Sequence, residues 1–241
     1  MSGNSAAFNL IFRFVENYVS PIAGRISAQR HVMAILDGFI SAMPFMIVGS
    51  FLLVFAYPPF SADTTLGFAR AWLDLAKEYE GRILTPFDMT MGIMSIYICA
   101  AIAYNLGKHY EKGAGLDPFM CAMLSIMAFL LVAAPKTDGA LPVDSLGGTG
   151  IFTAILVALY CVEMMRFLKV RNIGIRLPDQ VPPMIKNSFD LLIPVLVVVV
   201  TLYPLSLLIQ SQFGMLIPQA IMALFKPLVS AADSLPAILL A

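Results

Sequence analysis

Residues 176–194, with the sequence RLPDQVPPMIKNSFDLLIP, connect two long apolar segments of the chain. No other long polar connection in the sequence combines a cluster of prolines with a cluster of positive charge. The flanking apolar segments, 151–168 and 191–210, are close to the length of about 20 residues that a helix needs to cross a bilayer. The connection is therefore predicted to join two membrane spans.

The composition of the whole chain supports a membrane location. Of its 241 residues, 59% are hydrophobic and 12% are charged, whereas soluble domains are about 45–50% apolar and about 25% charged. The apolar residues are concentrated in blocks of spanning length, which predicts an all-α, polytopic helical membrane protein. The formal net charge of zero argues against nucleic acid as a partner.

About five spans are predicted, and together they form a membrane domain over residues 32–210: Val32–Tyr57, Met89–Gly107, Pro118–Ala134, Ile151–Leu168 and Leu191–Gln210. Residues 1–31 are predicted to form a cytoplasmic segment with an interfacial amphipathic helix. Residues 211–233 suit a second interfacial helix outside the cell, and 234–241 begin a sixth span. We expect that the sequence is truncated there or that a partner segment completes this span, because a helix end within the bilayer leaves polar groups unpaired.

The connections between the first three spans also have sequence signals. Residues 60–87 are predicted to be polar, with one short helix. Pro86 is predicted to begin the second span, since proline is favoured in the first turn of a helix. Residues 108–117, which include Gly113 and Gly115, are predicted to be a short loop.

Small residues and prolines within the spans predict close packing and bends. Gly38 and Ala42 are four residues apart, which allows a second helix to approach closely. Pro44, Pro194 and Pro204 are predicted to kink their helices, because proline removes a backbone hydrogen bond.

Lysine and arginine are distributed unequally over the two predicted sides of the membrane. Ten fall on the side that contains the N-terminus and the 169–190 connection, and five fall on the other. Because positive charge is enriched in cytoplasmic loops, the N-terminus and this connection are predicted to be cytoplasmic.

Few ionisable residues lie within the spans, and all of them are near the ends. Asp37 either stays among the lipid headgroups, where Arg30 can approach it, or has a functional role within the membrane. Glu163 and Arg166 are three residues apart on one predicted helix and are expected to form an ion pair.

No enzyme active site, metal site or cofactor site is predicted. Cys99, Cys121 and Cys161 lie within apolar runs and lack the spacing of metal ligands. His31 and His109 stand beside cationic residues at the ends of apolar runs, where residues at the membrane surface are expected.

The proline cluster gives the 169–190 connection a stiff backbone. Pro182 and Pro183 are predicted to start a helix at Met184, with polar residues on one face. The connection is either a rigid interfacial linker or a surface for partner docking or substrate passage. The candidate residues for that second interpretation are Arg176, Asp179, Pro182, Pro183, Lys186 and Asn187.

The chain resembles the membrane-embedded permease component, enzyme IIC (EIIC), of the lactose/cellobiose/chitobiose branch of the bacterial phosphotransferase system. The resemblance rests on the order and spacing of four segments: DGFI at 37–40 with Met43-Pro44, TPF at 85–87 with MGI at 91–93, residues 176–194, and SAADS at 230–234.

This resemblance implies a homodimer in the bacterial cell membrane, with a scaffold and dimerisation domain formed by the first five spans. A second half of the protein would hold most of the sugar site. The sugar would be bound from outside and phosphorylated at the cytoplasmic face by a phosphocysteine of EIIB, which works with EIIA. EIIC itself would be a transport component without a cofactor, and not the phosphoryl donor.

The resemblance also implies that important segments would follow Ala241. The family's Gly-Ile-His-Gly segment and its later glutamate motif are absent from this chain. We therefore expect the chain to be the N-terminal half of such a permease, unable to transport sugar alone. The expected substrate is a β-linked disaccharide, cellobiose first, then lactose or chitobiose. The alternatives are a degenerate or regulatory membrane protein that retains only the dimerisation half, and an unrelated intramembrane enzyme.

Overall fold

The computed structural model describes residues 24, 27–61, 63–135, 139–175, 178, 180 and 182–227. These residues are mainly helical, and no β-strand occurs among them. The helices are α1 Arg30–Ala56, α2 Gly67–Asp88, α3 Met94–Ala114, α4 Pro118–Ala133, α5 Ile151–Val170, α6 Pro183–Asp190 and α7 Leu192–Phe213. A further helical stretch covers 217–227.

Three of these helices are long and apolar enough to cross a membrane: α1, α7, and α5 together with the helical turn that precedes it. The α4 helix is also apolar but has only 16 residues. The α3 helix has 21 residues, and several charged residues lie near its end. The prediction of an all-α membrane fold is confirmed.

The α3 helix lies at the centre of the bundle and packs against α1, α4 and α5. Gly38 of α1 lies against Ile102 of α3, and Gly49, further along α1, lies against Met91 just before α3. The two helices are therefore antiparallel. Gly38 and Ala42 are both buried, so the close approach predicted for these small residues is confirmed.

The bundle has two distinct ends. At the first, which we call the polar end, α1, α4 and α7 begin and α3 and α5 end. At the opposite end, residues 139–150 fold over the start of α3, where the Ser95 amide donates to the Leu146 carbonyl at 2.9 Å. The turn Gly148–Gly150 leads directly into α5.

The connection predicted at 60–87 differs from the structure. It contains a helix of 22 residues, α2, because Ala69 and Ala76 are both buried and α2 packs against α1. Pro86 was wrongly predicted to begin a span, since it lies in the last turn of α2. The next helix begins only at Met94, after a turn.

The loop predicted at 108–117 is also wrong for most of its length. The α3 helix continues to Ala114, because Tyr110 is buried against the bundle while its charged neighbours remain exposed. Gly115 ends the helix with φ 66°, a left-handed conformation that glycine adopts without strain. Asp117 then caps α4 by accepting bonds from the Phe119 and Met120 amides.

The prolines occupy different positions in their helices. Pro44 and Pro204 lie inside α1 and α7, where each removes a helical hydrogen bond. Pro194 lies in the first turn of α7, where the amides have no partner within the helix in any case. The backbone therefore does not require the bend that was predicted at Pro194.

The ends of the chain are described only in part. Residues 1–23 and 228–241 lie outside the described residues. The predicted N-terminal amphipathic helix and the predicted start of a sixth span fall in these two segments. The α7 helix ends at Phe213, slightly beyond the predicted end. In the helical stretch 217–227, Phe225 stacks on Phe152 of α5 at a ring distance of 4.5 Å. An interfacial location for this stretch stays a prediction.

Candidate functional site

The polar end of the bundle carries a cluster of hydrogen bonds around one carboxylate. Glu163 Oε1 accepts a bond from Tyr110 Oη at 2.7 Å and lies 2.9 Å from His31 Nε2. Glu163 Oε2 accepts a bond from Arg166 Nε at 2.7 Å. The ion pair predicted between Glu163 and Arg166 is therefore confirmed, and the same carboxylate also joins α1, α3 and α5.

Glu163 lies in a helix of spanning length, where an uncompensated carboxylate is costly. Its side chain is 29% exposed, so water reaches it only in part. Three donors from three helices replace the missing water, and bonds to a charged acceptor are stronger than neutral ones. The cluster thus stabilises the charge and holds the start of α1 against the core.

Tyr110 also contacts two arginines. The Cζ atom of Arg166 lies 5.0 Å from the centre of the tyrosine ring, and that of Arg30 lies 5.7 Å from it. Both distances are within the range of cation–π attraction. The cluster therefore contains two guanidinium groups, one imidazole and one carboxylate around a buried phenol ring.

A second ion pair joins the end of α5 to the connection that follows it. Lys169 Nζ lies 3.0 Å from Oδ2 of Asp190. Asp190 is the last residue of α6. Both side chains are more than a third exposed, so the pair contributes little stability by itself. It links the last residue of α6 to the last turn of α5.

A cavity of about 320 Å³ lies beside this ion pair. Its lining combines four charged residues with apolar side chains: Asp117, Met120, Met165, Leu168, Lys169, Asn172, Ile173, Gly174, Ile175, Lys186, Asp190 and Pro194. The two lysines and two aspartates balance in formal charge. The cavity therefore suits a neutral ligand that carries hydrogen-bonding groups, or a short segment of a protein partner.

The candidate residues of the connection are only partly described. Pro183 begins α6, one residue before the predicted start, and Pro182 is exposed just ahead of it. Lys186 lines the cavity, and Asn187 lies on α6. Arg176 and Asp179 lie outside the described residues. Among the predicted residues of the connection, Lys186 is thus placed in the cavity lining together with Asp117, Lys169 and Asp190.

The sequence interpretation missed the contribution of Tyr110 and His31. The loop predicted over residues 108–117 gives Tyr110 no defined direction, and the sequence predicts His31 only as a membrane-surface residue. The useful signal was Glu163 itself. A carboxylate inside an apolar run needs donors for both of its oxygens, and tyrosines and histidines near neighbouring span ends are candidates for the oxygen that Arg166 does not reach.

The comparison with known proteins decides the family. The family model described as "Phosphotransferase system, EIIC" matches residues 36–241. The chain belongs to the EIIC family. It is 33% identical to the cellobiose-specific EIIC component of Geobacillus stearothermophilus over 214 residues, which is 82% of this chain and 45% of that relative.

Other EIIC relatives agree with this assignment. The chain is 32% identical to the Lichenan permease IIC component of Bacillus subtilis (strain 168), covering 84% of this chain and 46% of that relative. It is 34% identical to a lactose-specific EIICB component of Staphylococcus aureus (strain COL), covering 88% and 37%, respectively. The chain therefore spans about half the length, or less, of these curated relatives.

An EIIC crystal structure shares the fold. The transporter ChbC, the IIC component from the N,N'-diacetylchitobiose-specific phosphotransferase system, matches with a TM-score of 0.79 and 30% identity. The match covers 92% of this chain and 52% of ChbC. The resemblance stated from the sequence is thus confirmed, and so is the helical membrane fold of an EIIC protein.

Neutralising Glu163 is expected to loosen the polar end. A Glu163→Gln variant keeps the size of the side chain but removes the charge that attracts three donors. We expect the free energy of unfolding to fall by about 1–2 kcal/mol, a value reduced for partial exposure to solvent. Thermal unfolding in detergent, followed with a thiol-reactive dye, measures this effect because all three cysteines are buried.

The matched control for this variant is Glu80→Gln. Glu80 accepts a hydrogen bond from Tyr57 at 2.9 Å on the exposed surface of the opposite end, so its neutralisation is expected to change stability little. Equal unfolding temperatures for Glu163→Gln and the wild type would contradict a structural role for the cluster.

Proposed function

We propose that the chain provides the membrane scaffold and dimerisation part of an EIIC permease for a β-linked disaccharide, with cellobiose as the preferred sugar. The observation that carries this proposal is the shared fold with ChbC over 92% of the chain. The permease moves the sugar across the cell membrane, and the phosphoryl group comes from EIIB. The chain itself therefore acts as a transport component and not as the phosphoryl donor.

The choice of substrate rests on the relatives. Their names refer to cellobiose, lichenan, lactose and N,N'-diacetylchitobiose, all of which contain β-glycosidic linkages. Cellobiose is the first choice because two of the relatives are named for cellobiose or for the β-glucan lichenan. Lactose and chitobiose are the next candidates.

The polar end is proposed to face the cytoplasm. It lies on the side of the predicted spans that carries more lysine and arginine, which is the side expected to be cytoplasmic. Arg166, Lys169 and Lys186 are at this end. EIIB is proposed to dock there, on the surface formed by the 169–190 connection and the cavity beside it. EIIA is proposed to work with EIIB, before the transfer of the phosphoryl group to the sugar.

Deletion of the coding region for this chain in the organism that encodes it tests the proposal. We expect loss of phosphorylation-coupled uptake of radiolabelled cellobiose, with the uptake of an unrelated amino acid as the control. Parallel assays with lactose and chitobiose test the choice of sugar. Unchanged uptake of all three sugars would contradict the transport function and favour a regulatory protein that retains only the dimerisation half.

A further inference from the structure

The cluster at the polar end has more positive than negative charge. Arg30 and Arg166 each carry a full charge, whereas Glu163 supplies the one carboxylate. Within the described ranges, Arg166 and His31 pair with Glu163, and Arg30 makes no ion pair with any carboxylate. The two guanidinium groups and the one carboxylate therefore leave the cluster with a surplus of one positive charge.

The two arginines are held in place by their contacts with Tyr110. The tyrosine is only 7% exposed, so it forms a fixed platform, and both guanidinium groups lie over its ring. Arg166 uses its Nε atom to bond Glu163, which leaves its terminal nitrogens as donors. Arginines oriented in this way bind phosphate groups well, because their fork of donors matches the phosphate oxygens.

Two acidic residues lie near the cluster in the sequence, Asp37 and Glu111. Asp37 is exposed on α1, but it lies about two turns further along the helix than Arg30. Glu111 follows Tyr110 on α3 and is exposed. Among the residues that the structure describes, neither of them forms an ion pair with Arg30 or Arg166.

The location of the cluster favours a lipid as the source of the anion. Arg30 is the first residue of α1, and Arg166 lies in the last two turns of α5. Both helices are long and apolar enough to cross a membrane. Large apolar side chains are exposed close to them, since Met33 and Phe167 are 39% and 52% exposed. A phospholipid placed here would set its phosphate against the arginines and its acyl chains along these apolar residues.

We infer that Arg30 and Arg166, oriented by Tyr110 and Glu163, bind the phosphate of an anionic phospholipid headgroup. The site is separate from the cavity beside Lys169 and does not depend on which sugar is transported. Its occupant balances the surplus charge and fixes the start of α1 to α5 in the membrane.

The test uses the purified full chain in a neutral detergent. The chain is titrated with phosphatidylglycerol, with phosphatidylcholine or with inorganic phosphate, and the half-saturating concentration is taken from the rise in unfolding temperature. We expect phosphatidylglycerol to stabilise the wild type. The other two ligands are expected to have little effect.

Arg30→Gln is the principal variant, because Arg30 is exposed and lacks an ion pair whose loss would unfold the protein. It is expected to raise the half-saturating concentration of phosphatidylglycerol about fivefold. Arg30→Lys is expected to recover only part of the binding, because lysine keeps the charge but lacks the fork of donors. Arg82→Gln is the matched control, since Arg82 also lies over a tyrosine, Tyr79, at 5.6 Å, but outside the cluster. It is expected to leave the half-saturating concentration unchanged.

Three results would overturn the inference. Equal stabilisation by phosphatidylcholine and phosphatidylglycerol would show that negative charge on the lipid is not recognised. Equal stabilisation by inorganic phosphate would assign the site to free phosphate instead of lipid. An equal change in the half-saturating concentration of phosphatidylglycerol for Arg30→Gln and Arg82→Gln would show that the cluster does not bind the lipid.

Discussion

Replacing Gly38 with alanine is expected to force α1 away from α3 and to destabilise the protein strongly. A β-carbon at this position would lie 2.4 Å from Ile102 Cγ1 and 2.9 Å from the Ile102 backbone nitrogen. The side chain of Ile102 can move, but its backbone is part of the central helix. We expect a loss of about 3 kcal/mol, at the upper end of the usual cost of overpacking, measured by thermal unfolding with a thiol-reactive dye.

Gly81→Ala provides the control for this substitution. Gly81 lies inside α2, and nothing lies within 4 Å of the position of its added β-carbon. Alanine there is expected to be neutral or to stabilise the helix by about 0.5–1 kcal/mol, because it favours helical backbone more than glycine does. Equal losses for the two variants would mean that the close contact between α1 and α3 is not important.

Gly150→Ala is expected to disrupt the opposite end of the bundle to a similar or greater extent. The added β-carbon would lie 2.1 Å from the Ser145 carbonyl oxygen and 3.1 Å from Phe129. Since the carbonyl belongs to the backbone of the connection before α5, relief requires that connection to move. We expect a loss of about 3 kcal/mol or more and a low yield of folded protein.

The neighbouring Gly148→Ala is the control for Gly150→Ala. Its added β-carbon would meet only the flexible Met94 Cε, at 3.5 Å, an ordinary contact distance. The yield of monodisperse protein and the unfolding temperature are the two measurements. If Gly150→Ala behaves like Gly148→Ala in both, the tight packing at this end does not limit stability.

The parts of the fold that depend on local signals were predictable. Long apolar blocks located α1, α5 and α7, a shorter one located α4, and the spacing of Gly38 and Ala42 indicated a packed face. Pro182 and Pro183 indicated the start of α6 to within one residue. In each case neighbouring residues in the sequence carry the information, because helix length, small-residue spacing and proline geometry are local properties.

The parts that depend on tertiary contacts were not predictable in the same way. The length of α2 follows from its packing on α1, and the last turns of α3 persist because Tyr110 is buried among other helices. The partner of Arg166 was found because Glu163 is three residues away on the same helix. His31, more than 130 residues distant in sequence, had no such signal, so the three-helix cluster remained hidden.

The position of α3 has a consequence for how the protein enters the membrane. This helix lies at the centre of the bundle, yet it is not among the three helices that are apolar enough to cross a membrane. Its own transfer into lipid is therefore less favourable than that of α1. The contacts of α3 with α1, α4 and α5 are therefore expected to contribute to holding this helix in the bilayer.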